Sequence, residues 1–137
     1  MSSNKTKKVF CTNCGTWCGS GRKYCKDCRL KRKQELKEQS INAKKSDAIY
    51  THGHISNKYA KIRYHARHDF EKSITKCQKC GYDKHVEICH IKSIKEFPDS
   101  ATIAEINNKS NIIGLCPNCH WEFDHGLLNI TTAIIDN

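Results

Sequence analysis

Eight of the ten cysteines in this sequence stand in four pairs, each with two residues between its members. This spacing lets one tight turn aim both sulfurs at a single ion, and two such turns complete the closed tetrahedral site of a structural zinc. Gly15 and Gly81 directly follow two of the pairs and can take the positive φ that such turns often need. Pairs that are neighbours along the chain are expected to combine, which predicts two Zn²⁺ ions. The predicted ligands are Cys11, Cys14, Cys25, Cys28, Cys77, Cys80, Cys116 and Cys119.

Two other uses of the cysteines fit less well than zinc. A secreted chain with this many cysteines would suggest a disulfide scaffold, but residues 1–10 contain no apolar signal segment and no run approaches membrane-spanning length. A redox role is disfavoured because the four pairs match one another and carry the glycines of zinc knuckles. We therefore expect reduced thiols in an intracellular protein, cytoplasmic or nucleoid/nuclear rather than secreted, with no membrane partner.

The net charge of +10 is unevenly distributed along the chain. Residues 1–45 contain 13 Lys or Arg against 3 Asp or Glu, residues 46–76 contain 6 against 3, and residues 77–137 contain 5 against 8. A basic region that includes a zinc unit favours a polyanion, so DNA is the predicted partner, and a solubilising tail is the alternative. The side chains predicted to contact DNA are Arg29, Lys31, Arg32, Lys61, Arg63 and Arg67.

The first two segments differ in how well they are organised. Residues 1–45 are predicted to be a zinc-binding unit followed by a polar stretch, residues 29–45, which is either an exposed helix or a flexible connector. Residues 46–76 should begin with a loop at 46–56 and continue as a basic amphipathic helix. The apolar residues of that helix recur at helical spacing and should face a core: Tyr59, Ile62, Ala66, Phe70 and Ile74.

The third segment, residues 77–137, has the order zinc pair, strand, long loop, zinc pair and short helix. The strand is predicted at 84–91 and the loop at 92–114, with a helical turn at 100–107 capped by Ser100. The helix should begin near Asn118 and end at Gly126, and an apolar strand can follow.

Three blocks of this segment together resemble the HNH endonuclease family: CQKCGYDKHVEICHIKSI, NIIGLC and CPNCHWEFDHG. The resemblance runs from Cys77 to Leu128 and implies the ββα-metal fold, a two-stranded hairpin and a helix around one metal. The preceding IRYHARHDFEKSIT is similar to a helix found before the motif in some zinc-containing members. The expected fold class is therefore a small zinc-stabilised α+β protein. Its ββα-metal core is braced by a four-cysteine zinc site and preceded by the basic helix and an N-terminal zinc-ribbon-like unit.

The resemblance implies a role for each motif residue. His90 would be the general base that takes a proton from water, Asn111 would hold the loop that orients it, and His120 would be a metal ligand. A second ligand is expected one helical turn beyond His120, where Asp124 and His125 both stand. Four residues turn a helix through about 400° and five through about 500°, so geometry selects Asp124 and leaves His125 as the alternative. An oxygen ligand also suits Mg²⁺ or Mn²⁺.

Cys89 departs from the commonest family pattern, which has aspartate or histidine directly before the catalytic histidine. Thiolate is a poor ligand for magnesium, and neighbouring residues on a strand face opposite sides. Cys89 is therefore predicted to be a small buried hydrophobe. The competing interpretation makes Cys89 a third ligand of a softer ion such as manganese, nickel or zinc. His85 is a weaker candidate for contact with substrate.

The predicted function is a metal-dependent HNH DNA endonuclease that hydrolyses phosphodiester bonds. The alternative is a non-catalytic zinc-containing module that binds nucleic acid through the same basic helix and zinc pairs. A pure binding module would have no need for His90, Asn111, His120 and Asp124 together, which favours the nuclease. One small site cuts one strand, so a homodimer is a possible partner if both strands are cut.

Overall fold

The structure, a computed structural model, describes residues 9–19, 21–49 and 58–130. The chain divides into two compact units, residues 1–40 and 41–137. The functional division predicted at residues 45 and 76 stays a prediction. Among the residues that the structure describes, no helix is both long enough and apolar enough to span a bilayer.

The first unit consists of a knuckle turn and a helix. Phe10 and Trp17 form an antiparallel bridge around the turn, and the Gly15 N–H donates to Cys11 O at 2.9 Å with Gly15 at φ +73°. The chain then enters α1, Lys26–Ile41, which buries none of its residues. Of the two alternatives for residues 29–45, the exposed helix is the one observed over most of the range.

The second unit begins with two helices, α2 (Lys45–Ala48) and α3 (Ala60–Phe70). The apolar stripe predicted for the basic helix is confirmed up to Phe70, since Tyr59, Ile62 and Ala66 are buried and Phe70 is partly buried. Ile74 is partly buried but lies beyond the end of α3, so the helix is shorter than predicted. The loop predicted at 46–56 is wrong at its start because residues 46–48 belong to α2. Its remainder from residue 50 onward lies outside the described residues.

Lys45 shows why α2 forms where a loop was predicted. Lys45 is one of the 13 basic residues of the segment 1–45 that was predicted to bind DNA, yet only 4% of it is exposed. Its Nζ donates to Phe97 O at 2.6 Å and lies 3.4 Å from Asp99 Oδ1, over the ring of Tyr59. A buried ammonium needs such partners, so Lys45 fastens α2 to the loop around residues 97–99.

The second unit continues with two antiparallel strands, β1 (Glu87–His90) and β2 (Ile112–Leu115), in which Glu87 pairs with Leu115 and His90 with Ile112. The strand predicted at 84–91 is shorter than expected. The loop predicted at 92–114 is wrong, because it contains α4 (Ile103–Ile106), two 3-10 turns and most of β2. Thr102 caps α4 in a box with Glu105, so Ser100 is not the cap.

Helix α5, Pro117–Asp124, follows β2 directly, with Cys116 as its N-cap. It begins one residue before the predicted start, where Pro117 presets φ for the first turn. Gly126, at φ +69°, ends it as predicted. Residues 127–130 form no strand, and the rest of the predicted final strand lies outside the described residues.

Two small apolar clusters make up the core of the second unit over its described residues. One joins α2, α3 and α4 and contains the fully buried Ile62, Ile103 and Ile106. The other joins β1, β2 and α5 around Leu115. Four members of this second cluster are cysteines: Cys77, Cys89, Cys116 and Cys119. Both clusters are small, as expected of a domain of this size.

Candidate active site and zinc clusters

The eight paired cysteines form two groups of four, each with all sulfurs within 4.8 Å of one another. The first group is Cys11, Cys14, Cys25 and Cys28, and the second is Cys77, Cys80, Cys116 and Cys119. This confirms the predicted combination of neighbouring pairs.

Sulfur separations within the two groups fit a zinc ion. A tetrahedral ion with Zn–S bonds of about 2.3 Å requires sulfurs about 3.8 Å apart. Cys14 Sγ lies 3.6 Å from Cys25 Sγ, and Cys80 Sγ lies 3.7 Å from Cys116 Sγ. Both groups are thus compatible with structural Zn²⁺.

Backbone N–H groups favour a thiolate at Cys77 in the second group. Burial is the largest influence on Cys77 and raises its pKa, but N–H groups of Cys80, Cys116 and Lys79 together bring that pKa down to about 6. The Cys119 N–H donates to Cys116 Sγ at 3.5 Å in the first turn of α5. The second cysteine group is therefore built by the knuckle turn at residues 77–81, before β1, and by the junction between β2 and α5.

The knuckle is also bonded to the middle of β2. The Gln78 N–H donates to Gly114 O at 2.9 Å, and the Gly114 N–H donates to Gln78 Oε1 at 2.8 Å. A Cβ on Gly114 would lie 2.1 Å from Ile74 Cγ2 and 3.0 Å from Val86 Cγ1. Only glycine lets these side chains approach the strand so closely, and this fixes the knuckle, β1 and β2 together.

His90, the predicted base, ends β1 and is partly buried. Its Nε2 lies 2.7 Å from Asn107 Oδ1, and Asn107 Nδ2 donates to Ile62 O in α3 at 2.9 Å. Burial lowers the pKa of His90, the hydrogen bond to Asn107 raises it, and the charge of Arg63 lowers it, with a net shift downward. The ring is therefore kept neutral near pH 7, as a general base requires.

Asn111 joins the segments on either side of His90. Its Oδ1 accepts from the Lys92 N–H at 2.7 Å, and its Nδ2 donates to Ile106 O at 2.9 Å and to Lys92 O at 3.3 Å. Its own O accepts from the Ile91 N–H at 2.9 Å. This buried amide ties the chain after β1 to α4 and to the start of β2, and its predicted role in orienting His90 stays a prediction.

His120 and Asp124 lie together on one face of α5. His120 Nε2 is 3.5 Å from Asp124 Oδ2, while its Nδ1 is 2.5 Å from Glu87 Oε2 on β1. His85 Nε2 lies 3.5 Å from the other oxygen of Glu87. The hydrogen bond from His120 lowers the pKa of Glu87, so the carboxylate is charged near neutral pH. Glu87, His120 and Asp124 form a polar group that joins β1 to α5.

Glu87 is a site residue that the sequence analysis missed. It stands three residues before His90, two positions from Cys89, and therefore shares the strand face of Cys89. A charged residue in a strand otherwise composed of Ile, Cys and His is the signal that could have identified it.

The remaining candidate ligands are Cys89 and His125. Cys89 is 4% exposed within the cluster around Leu115. Burial raises the pKa of its thiol to about 12, and the charges of Glu87 and Asp124 add to the rise, so the thiol lies near both carboxylates. His125 is stacked on Trp121 with 4.0 Å between ring centres, and its Nδ1 bonds to Trp121 O at 2.7 Å. The structure thus brings Asp124 to His120 and places His125 against Trp121.

Basic side chains are exposed in both units. In the first unit the predicted contacts are Arg29, Lys31 and Arg32, all on α1, with Arg32 over the ring of Tyr24. In the second unit they are Lys61, Arg63 and Arg67 on α3, of which Lys61 is partly buried. Arg63 is near enough to His90 to affect its pKa, so α3 presents positive charge beside the candidate base.

Residues 77–131 match the family model described as HNH endonuclease. The resemblance noted in the sequence is therefore confirmed, and it covers β1, β2, α5 and the second zinc group. No significant match was found among curated proteins or solved structures. The family match indicates a function related to nucleic-acid cleavage for this part of the chain.

Proposed function

We propose that this protein is a metal-dependent HNH DNA endonuclease that hydrolyses phosphodiester bonds. The observation that carries the proposal is that β1 bears His90, α5 bears His120 and Asp124, and one group of four cysteines within the family match joins the two elements. On this proposal β1, β2 and α5 are the ββα-metal core of the family.

His90 is the proposed general base. A neutral imidazole accepts the proton of an attacking water, and burial keeps the ring neutral at physiological pH. Asn111 holds the segment after β1 and so fixes the end of the strand that presents the ring.

His120 and Asp124 are the proposed holders of a divalent ion, Mg²⁺ or Mn²⁺. Donor atoms 3.5 Å apart can both reach one ion at about 2.1 Å. An ion held there would supply positive charge for the scissile phosphate and the leaving oxygen. Glu87 orients His120 through Nδ1 and leaves Nε2 facing Asp124, the carboxylate–histidine arrangement common beside metal ligands.

DNA is the proposed substrate. Arg63 and Arg67 on α3 and the cations of α1 are the proposed phosphate contacts, and such contacts give affinity without reading sequence. A single site cuts one strand, so cutting both would require two copies or two events.

The second candidate function is binding of nucleic acid without cleavage. The observation that favours it is Cys89, a buried thiol at the position where the family commonly has a metal ligand. A site with two protein ligands holds its ion more weakly than one with three.

Incubation of purified protein with plasmid DNA, with and without Mg²⁺ or Mn²⁺, tests the proposal. We expect metal-dependent cleavage that His90→Ala abolishes while DNA binding and zinc content persist. His68→Ala removes an exposed histidine of α3 and is the matched control. Binding without cleavage in every metal would establish the second function instead.

A further inference from the structure

Asn107 is a buried amide with a partner at each end. It caps the C-terminus of α4 and is 9% exposed. Its two side-chain bonds reach His90, 17 residues earlier, and the backbone of Ile62, 45 residues earlier. No block of the family resemblance assigns this residue a role.

The two bonds determine which ring nitrogen of His90 carries the proton. Ile62 O is a carbonyl oxygen and can only accept, so the NH₂ end of Asn107 must face it. The other end, Oδ1, then faces His90 Nε2 at 2.7 Å and can also only accept. Nε2 must therefore donate. A neutral imidazole has one N–H, so Nδ1 carries the lone pair.

We propose that Asn107 is a positioning residue that selects the Nε2–H form of His90 and thereby makes Nδ1 the atom that accepts the proton of the attacking water. This inference rests on the proposed function and deepens it. The proton passes from water to Nδ1, and the oxygen forms a bond to phosphorus as the bond to the leaving oxygen breaks. Solvent protonates the leaving oxygen. The imidazolium retains its bond to Asn107, so the ring does not turn during the reaction.

The hydrogen bond from Asn107 Nδ2 to Ile62 O on α3 fixes the orientation of the amide and so the tautomer of His90. An amide held at one end only could rotate by half a turn and present NH₂ to the ring, which would select the opposite tautomer. The bond to Ile62 O prevents this rotation, because the reversed amide would put two acceptors together. Arg63, a proposed phosphate contact, directly follows Ile62 in the sequence. On this proposal one turn of α3 therefore contacts the substrate and also fixes the orientation of His90.

Nitrogen-15 NMR of the full-length, zinc-loaded protein above the pKa of His90 tests the tautomer without any cleavage assay. The His90 signals are assigned by their loss in His90→Ala. We expect a pyrrole-type shift and a slowly exchanging proton on Nε2, and a pyridine-type shift on Nδ1. A proton on Nδ1 in the wild type would overturn the inference. This result stands whether or not the protein cuts DNA.

Three variants separate positioning from a merely structural role. Asn107→Ala should lose the slowly exchanging Nε2 proton and lower kcat about 10- to 100-fold with KM within about twofold, since a complete loss of a general base is worth about 100- to 10,000-fold. Asn107→Asp keeps an oxygen for Nε2 and should retain that proton even though its bond to Ile62 O is lost. Asn42→Ala, at an exposed asparagine outside this network, should resemble the wild type.

The same variants can also contradict the inference. An unchanged Nε2 signal and unchanged kcat in Asn107→Ala would show that the bond to His90 selects nothing. Loss of the Nε2 proton in Asn107→Asp as well as in Asn107→Ala would show that the link to Ile62, rather than the acceptor, is what matters. If wild-type protein fails to cut DNA but shows the expected Nε2 proton, the proposed function fails while the Asn107–His90 pairing holds.

Discussion

At the scale of single residues, the environment of His90 determines the pH at which the protein would work. Burial, with the charge of Arg63, holds the pKa of the ring below its ordinary value of 6.5 despite the bond to Asn107. A general base acts in its neutral form. The His90 ring therefore becomes half protonated, and loses its function as a base, only at a pH below 6.5.

We accordingly expect kcat/KM for DNA cleavage to stay level as the pH falls through 6.5 and to decline only below that value. The measurement is a pH–rate profile between about pH 5 and 8 at constant ionic strength. Wild-type protein is compared with His68→Ala to show that the acid limb does not come from His68. An acid limb centred above 6.5 would contradict this account of the burial of His90.

Cys89 offers a second test at the residue scale. As a buried hydrophobe it contributes packing, so Cys89→Ala should keep magnesium-supported cleavage and lower the free energy of unfolding by about 1 kcal/mol. Cys89→Asp should strengthen the use of Mg²⁺ by adding an oxygen ligand. Activity is measured across Mg²⁺, Mn²⁺, Ni²⁺ and Zn²⁺, with His120→Ala as the reference for loss of a ligand. If Cys89→Ala is inactive in every metal with its fold and zinc intact, Cys89 is a third ligand.

At the scale of elements, the contact between β2 and the chain after α3 depends on one missing side chain. Gly114→Ala would place a methyl group 2.1 Å from Ile74 Cγ2, so Ile74 or the strand must move. We expect a loss of about 1–3 kcal/mol in the free energy of unfolding, typical of overpacking. The measurement is urea denaturation with zinc present. Gly126→Ala is the comparison, because a Cβ there meets no atom within 4 Å and only its positive φ is costly.

Restoring space beside Gly114 should relieve the strain. Gly114→Ala combined with Ile74→Ala is expected to lose less than the sum of the two single changes, since residues in contact are coupled. Strict additivity would show that the close approach between Ile74 and β2 is not the cause of the loss.

The elements also show what the sequence could and could not reveal. The pairing of cysteines was predictable because knuckle spacing is local, and α3 was predictable because its apolar stripe repeats every turn. β2 was missed because Ile112–Leu115 is only four residues long and includes a glycine, a pattern that local preference assigns to a loop. Its strand conformation comes from pairing with β1, and α4 and two 3-10 turns separate the two strands along the chain.

The site residues could likewise be predicted only in part. The family resemblance was sufficient to nominate His90, Asn111 and His120, and helical geometry was sufficient to prefer Asp124 over its neighbour. Glu87 and Asn107 lie outside the motif, and their contacts join elements that are far apart along the chain. The sequence held one signal for Glu87, its charge within β1, and none for Asn107. The burial of Lys45 was hidden for the same reason, since the carbonyl that accepts from it lies 52 residues away.

At the scale of the whole molecule, metal content should reflect the two cysteine groups. We expect about two zinc ions per chain by elemental analysis, one for each group. Cys14→Ser should remove one ion, and Cys80→Ser should remove the other and abolish cleavage by releasing β1 from α5. One ion or none in the wild type would refute the assignment of two structural zinc sites.

The positive charge of α1 can be tested without touching a core, because α1 buries no residue. Replacing Arg29, Lys31 and Arg32 by Gln should weaken DNA binding and reduce the slope of log affinity against log salt by about 2–3, as expected for three lost phosphate contacts. The matched control replaces Glu35 and Glu38 by Gln, which changes charge on the same helix in the opposite direction. An unchanged slope in the first variant would mark α1 as a solubilising segment.

On the proposed function, a zinc ion in the second cysteine group would also make activity depend on the metal supply at the time when the chain folds. An ion enclosed by four sulfurs leaves only when the surrounding fold opens, whereas an ion held by two surface side chains exchanges with solvent. A chain made while zinc is scarce would lack the brace and acquire no activity when magnesium is plentiful. A chain that folded before the zinc shortage would keep its zinc during the shortage. The fraction of active protein molecules would therefore reflect the zinc supply at the time when they were made.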